Sequence, residues 1–144
     1  MNAVFRWPVR VYFEDTDTGG IVFYANYLKF FERARTEWLR AAGIGQQALA
    51  EKARRMFVVK STAVDYHAPA RLDDRLEITV VVEKLGRASV NFHQEAWLAD
   101  AEPPRLLCSG SIRVGCVDTL TLRPDTIPAE VDAELRSLIQ RISG

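Results

Sequence analysis

Cysteine and histidine are scarce here, two of each in 144 residues. Cys108 and Cys116 stand eight residues apart in what reads as one strand. At ~3.3 Å per residue that separates them by roughly 26 Å, too far for a disulfide within the strand. With only His67 and His93 besides, and no CxxC or HxxxH spacing, a metal site is not expected and no cofactor is implied. Both cysteines read as small buried hydrophobes. No stretch approaches 18 apolar residues, and MNAVFRWPVRV lacks a basic segment leading into a long apolar run. The expectation is therefore no signal peptide, no membrane span and a soluble, cytoplasmic protein. Neither sign of charge is in excess: Lys plus Arg and Asp plus Glu are 19 each. That balance argues against a broad nucleic-acid-binding face and leaves room only for local basic patches. There is no internal repeat or low-complexity segment, and residues 1–144 suit a single domain able to bury a sizeable core.

What is present concentrates in residues 10–42, RVYFEDTDTGGIVFYANYLKFFERARTEWLRAA. From Asn26 onward Tyr27, Phe31, Ala34, Trp38 and Ala41 recur at the spacing of one helix face, opposite Lys29, Glu32, Arg33, Thr36, Glu37 and Arg40. Leu28, Phe30 and Leu39 widen the apolar stripe, which predicts a helix to about Ala42, enclosed on most sides by a bent sheet. Gly43 is the expected stop. Before the helix, Gly19-Gly20 permits positive φ and close backbone approach. The helix start offers unpaired N–H groups and partial positive charge, a ready site for an anion or oxyanion. Asp15 and Asp17 point to the same side if the strand before them stays extended. Each also suits a purely structural role as helix cap or Asx-turn, and the residues alone leave both readings open.

The remaining chain predicts strands. RWPVRVYFE, residues 6–14, alternates Val9, Val11 and Phe13 against Arg10, Tyr12 and Glu14, with Pro8 marking a strand start or sheet edge. Gln46–Lys52 suits a short helix. Met56–Ala68 reads as a long strand buried on one side and partly covered on the other, closed by a structural His67, and PARLDD as a turn. Arg75–Leu85 sets Leu76, Ile78, Val80 and Val82 inward, and Gly86-Arg87 turns the chain back. Ala88, Val90, Phe92, Ala96 and Leu98 continue the inward face, with His93 on the polar side beside Asn91 and Glu95. After DAEPP, Leu106, Cys108, Ile112, Val114 and Cys116 line a return strand. Ile127–Ile142 carries Val131, Leu135, Leu138 and Ile142 at helical spacing, a helix lying outside the sheet or on a neighbouring subunit. One strand, a dominant helix, then about four antiparallel strands is an α+β layout.

The run Arg10-Val11, four residues, Thr16-Asp17, two residues, Gly20-Ile21-Val22 resembles the 4-hydroxybenzoyl-CoA thioesterase family of hotdog-fold enzymes. It is most similar to the branch of acyl-CoA thioesterases associated with the Tol-Pal envelope system, strongly over the first forty residues and more weakly to about Asp118. That resemblance implies a curved antiparallel sheet of about five strands around one long central helix, plus a C-terminal helix. It also implies acyl-CoA hydrolysis, with Asp17 as nucleophile or general base, the backbone N–H at Tyr24 as oxyanion donor, and Gly20 shaping the turn between them. The Tol-Pal branch commonly carries His where this chain has Tyr24; the 4-hydroxybenzoyl branch commonly carries Tyr. The acyl group therefore stays open between aliphatic and aromatic.

Coenzyme A phosphates call for cations, and Lys84, Arg87, Arg54 and Arg55 are the candidates. Open sheet edges and family habit imply a homo-oligomer, dimer or tetramer, with sites at the subunit interface. The alternative reading is a catalytically weak hotdog scaffold that docks acyl carrier protein or lipid-synthesis enzymes.

Overall fold

The computed structural model describes residues 4–143; Met1–Ala3, where the leader reading begins, and Gly144 lie outside the described residues. The elements in order are β1 (Phe5–Arg10), α1 (Asn26–Ala41), α2 (Gln46–Ala53), β2 (Arg55–Tyr66), β3 (Arg75–Leu85), β4 (Ser89–Leu98), β5 (Arg105–Asp118) and α3 (Ala129–Ser143). The strands form one antiparallel sheet in the order β1-β3-β4-β5-β2, so β1 and β2 are its edges among the described residues.

Helix α1 lies on the concave face against β3, β1 and β4. Tyr27, Phe30, Phe31, Ala34, Trp38 and Leu39 are buried along its inner stripe. Trp38 meets Phe92 edge-on with ring centroids 5.4 Å apart. Gly110 of β5 gives Phe31 room: a Cβ there would stand 3.2 Å from the Phe31 ring. Enclosure is less complete than the periodicity predicts, because Leu28 is 42 % exposed and Ala41 is also exposed. The helix packs chiefly over β3, β1 and β4, while α2 packs on β2.

The stop at Gly43 is a Schellman motif. Gly43 has φ +81°, its N–H donates to Arg40 O at 2.9 Å, and Ile44 N–H donates to Leu39 O at 2.9 Å.

Four local expectations are corrected. The first strand ends at Arg10, and Phe13–Asp15 is a 3-10 turn that leaves Phe13 81 % exposed rather than inward. Asp15 Oδ2 accepts the Tyr12 N–H at 2.8 Å, so a local side-chain bond replaces the extended backbone, and the two aspartates do not share one strand face. In β5 the inward position is Leu107, not Leu106: the register shifts opposite Ala96/Trp97, and Leu107 O accepts from both His67 N–H and Ala68 N–H. In β2 burial is slight, with Val59 52 % exposed, because the strand lies at the sheet edge; the short helix α2 packs against it.

The C-terminal helix α3 packs on its own chain, with Leu135 fully buried and Val131 and Leu138 beside it in the core. No described helix is long and apolar enough to cross a membrane.

Candidate active site

The glycine turn and the start of α1 are tied together by backbone bonds. Thr16 pairs with Val22 in an antiparallel bridge, Asp17 N–H donates to Ile21 O at 2.9 Å, and Phe23 N–H donates to Asp15 O at 3.0 Å. Gly20 N–H returns to Asp17 O at 3.0 Å, and Gly20 itself has φ +81°, a conformation strained for any residue with a Cβ. The segment is thus a small hairpin that brings the Asp17 backbone against Ile21, just before the helix entrance.

The two aspartates differ in their surroundings. Asp15 is buried, and besides the contact to Tyr12 its carbonyl accepts from Asn26 Nδ2 at 2.8 Å, pinning the helix start. Asp17 is exposed, and its Oδ1 accepts the Gly19 N–H at 2.8 Å. This is the Asx-turn of the structural reading. It engages one carboxylate oxygen.

At the helix entrance Asn26 N–H donates to Phe23 O at 2.9 Å, closing a turn whose middle residues are Tyr24 and Ala25. No side chain caps the helix. Among the described residues neither the Tyr24 N–H nor the Ala25 N–H donates to any acceptor. Two backbone donors are therefore left unpartnered, among the described residues, at the positive end of the helix dipole.

Beside them opens a cleft of about 280 Å³ lined by Ile21, Val22, Tyr24, Tyr27, Tyr66, His67, Ala68 and Pro69. Its wall is aromatic: Tyr66 lies 5.8 Å from Tyr27 and 6.1 Å from Tyr24, centroid to centroid. Tyr27 is held by the Ala70 N–H, which donates to its hydroxyl at 3.2 Å; burial pushes its phenol pKa up. His67 Nε2 is 2.9 Å from Ser109 Oγ.

The four candidate cations are not brought to this cleft within one chain. Arg55 stands at the other end of β2 from Tyr66, roughly 35 Å away at ~3.3 Å per residue. It pairs with Asp125 at 3.1 Å and donates to Thr126 O at 3.1 Å, while Arg54 pairs with Asp118 at 3.3 Å. The β3–β4 hairpin lies at that same far end, since Arg87 O accepts from Ile127 N–H. There Lys84 and Arg87 are exposed and, among the described residues, in no ion pair.

Sequence reasoning missed two polar features. Gln94 occupies an inward β4 position between Phe92 and Ala96, is fully buried, and bonds Phe31 O, Thr79 O and Arg35 Nη1. A polar residue in an inward series was the available signal. Tyr66 sends its hydroxyl to Tyr24 O at 3.1 Å, a contact between residues 42 apart that no local pattern reveals.

The sequence profile of the thioesterase superfamily matches residues 19–104. The acyl-CoA thioester hydrolase YbgC of Escherichia coli is 47 % identical over 135 residues, covering 94 % of this chain and 98 % of that protein. The acyl-CoA thioesterase YbgC of Haemophilus influenzae is 42 % identical over 134 residues, covering 93 % and 96 %. Among solved structures, a probable thioesterase from Bartonella henselae superposes with a TM-score of 0.81 at 29 % identity, covering 88 % of this chain and all of that one.

Proposed function

The chain belongs to the thioesterase superfamily and is an acyl-CoA thioester hydrolase of hotdog fold, and on that premise we propose which of its groups carry the reaction. Asp17 supplies the carboxylate. Either its oxygen attacks the thioester carbonyl, giving a mixed anhydride that water then opens, or it takes a proton from the attacking water. In both routes the carbonyl oxygen becomes negative before the C–S bond breaks and coenzyme A leaves as thiolate. The N–H groups at Tyr24 and Ala25 stabilise that oxygen, and losing one such donor typically costs ~10²-fold or more.

The observation that carries this reading is the pair of unpartnered N–H groups at an uncapped helix start, tied by three backbone contacts to the Asp17 turn. Gly20 supports it by holding the turn at a φ that other residues resist. Tyr24 contributes its backbone and an aromatic wall; no imidazole is needed for either route.

Substrate phosphates reach Lys84, Arg87, Arg54 and Arg55 only if a second copy supplies them. An isologous, antiparallel pairing of two β2 edges sets the partner's end of the strand that begins at Arg55 beside this chain's Tyr66 end. A homodimer of this kind, paired again into a tetramer, is the assembly proposed. Docking of acyl carrier protein and association with a Tol-Pal envelope system are further proposals, resting on likeness to that branch.

The test is thiol release over a panel of aliphatic and aromatic acyl-CoAs. Turnover on at least one class is expected, and the panel separates the acyl groups. Absence of turnover on all of them contradicts the reading.

A further inference from the structure

In a regular α-helix the Tyr24 carbonyl would accept from the Leu28 N–H. Here Leu28 N–H donates instead to Ala25 O at 3.1 Å, a tightened first turn. Among the described residues the Tyr24 carbonyl is left with one donor, the Tyr66 hydroxyl at 3.1 Å. That carbonyl belongs to the same peptide unit as the Ala25 N–H, and Tyr24 also carries the other free donor. We infer that Tyr66 is a positioning residue for hydrolysis: its hydroxyl fixes and polarises the Tyr24–Ala25 peptide, so that the two free N–H groups meet the developing oxyanion. This inference rests on the oxyanion role proposed above.

The geometry suits the task. Tyr66 is the last residue of β2, anchored by pairing with Cys108 of β5, so its backbone is part of the sheet rather than of the helix entrance. Its ring is steadied by Tyr27, itself buried, and meets Tyr24 edge-on at an interplanar angle of 86°. A hydrogen bond accepted by a peptide carbonyl strengthens the donor at the other end of the same amide. The bond also ties the helix start to the sheet, so the donors need no reorganisation during reaction. Burial, with Cys108 and Tyr24 adding to it, pushes the Tyr66 phenol above its ordinary range. The hydroxyl accordingly remains a donor at neutral and mildly alkaline pH.

Tyr66→Phe removes the hydroxyl and keeps the ring. The measurements are kcat, KM and Tm for this variant and for Asp17→Asn on one good acyl-CoA, with binding of a non-hydrolysable acyl-CoA thioether. For Tyr66→Phe the expected result is kcat lowered about fivefold to tenfold, a fraction of the ~10²-fold loss for a missing oxyanion donor. KM and thioether affinity stay within twofold and Tm barely moves. Unchanged kcat overturns the inference. A rise in KM or weaker thioether binding at constant kcat overturns it too, because the hydroxyl then contacts substrate. A loss that tracks unfolding makes the bond structural and has the same consequence. If Asp17→Asn keeps normal turnover, the site assignment fails by itself; if Asp17→Asn is inactive and Tyr66→Phe is normal, only the role of Tyr66 falls.

Discussion

Arg35 Nη1 donates to Gln94 Oε1 at 2.9 Å, a charged side chain on α1 reaching a fully buried amide on β4. The same amide donates through Nε2 to Phe31 O at 3.0 Å and Thr79 O at 3.3 Å, so one side chain links the helix to two strands. Burial lowers the Arg35 pKa, and Glu32 opposes that shift. Gln94→Leu keeps the volume but strands a partly buried guanidinium. It should destabilise by about 2–3 kcal/mol, the cost of an unsatisfied charged donor. Urea unfolding measures this; a change under ~0.5 kcal/mol, the range of a neutral surface substitution, would make the link dispensable.

Gly43→Ala tests the end of α1. No atom lies within 4 Å of the added Cβ, so the whole effect comes from φ +81°. A loss of about 1 kcal/mol is expected, in line with the left-handed penalty for a residue with Cβ. A neutral or stabilised variant in thermal melts would mean the Schellman turn is not holding the helix stop.

Cys108 gives a pH signature. Burial, with Asp65 adding to it, pushes its thiol from 9.0 up to about 12. A group whose folded pKa is raised stabilises fully below its unfolded pKa and loses that contribution as pH rises through the folded value. Stability should therefore fall from about pH 9 toward pH 12, and Cys108→Ala should flatten that part of the profile. Equal slopes for both proteins would contradict the shift.

The edge strand β2 presents an unpaired row of backbone groups with Val59 half exposed. Sedimentation at low micromolar concentration should give at least a dimer. Val59→Lys, a charge on that edge, should shift it toward monomer and lower activity together; a fully active monomer would remove the shared-site picture.

Much of the architecture was legible because it is periodic. The α1 stripe from Tyr27 to Leu39, the alternation Leu76-Ile78-Val80 and the Gly43 stop each carry a local pattern that burial requires. What escaped was set by side-chain competition with the backbone, by register shifts and by contacts far apart in the chain. The 3-10 turn at Phe13–Asp15 follows from a side-chain bond that outcompetes an extended backbone, and the Leu107 shift from a bulge that alternation does not announce. Of the candidate site, Asp17, Gly20 and Tyr24 were legible in one contiguous stretch, whereas the Tyr66 bond to Tyr24 spans 42 residues, as the core bond from Gln94 to Phe31 spans 63. The four cations were legible only as residue types, since their distance from the cleft depends on strand direction.

The most direct test of the central claim is turnover and Tm for Asp17→Asn, with Asp15→Asn beside it, on one good acyl-CoA substrate. Asp17→Asn keeps an acceptor for the Gly19 N–H but removes the charge that either a nucleophile or a base requires. The account predicts kcat lower by at least ~10²-fold with Tm unchanged or raised. Asp15→Asn, which weakens the buried contact to Tyr12, should lose stability and comparatively little activity. The contradicting result is the inverse: near-normal turnover in folded Asp17→Asn with stability down by about 1 kcal/mol, the behaviour of a cap.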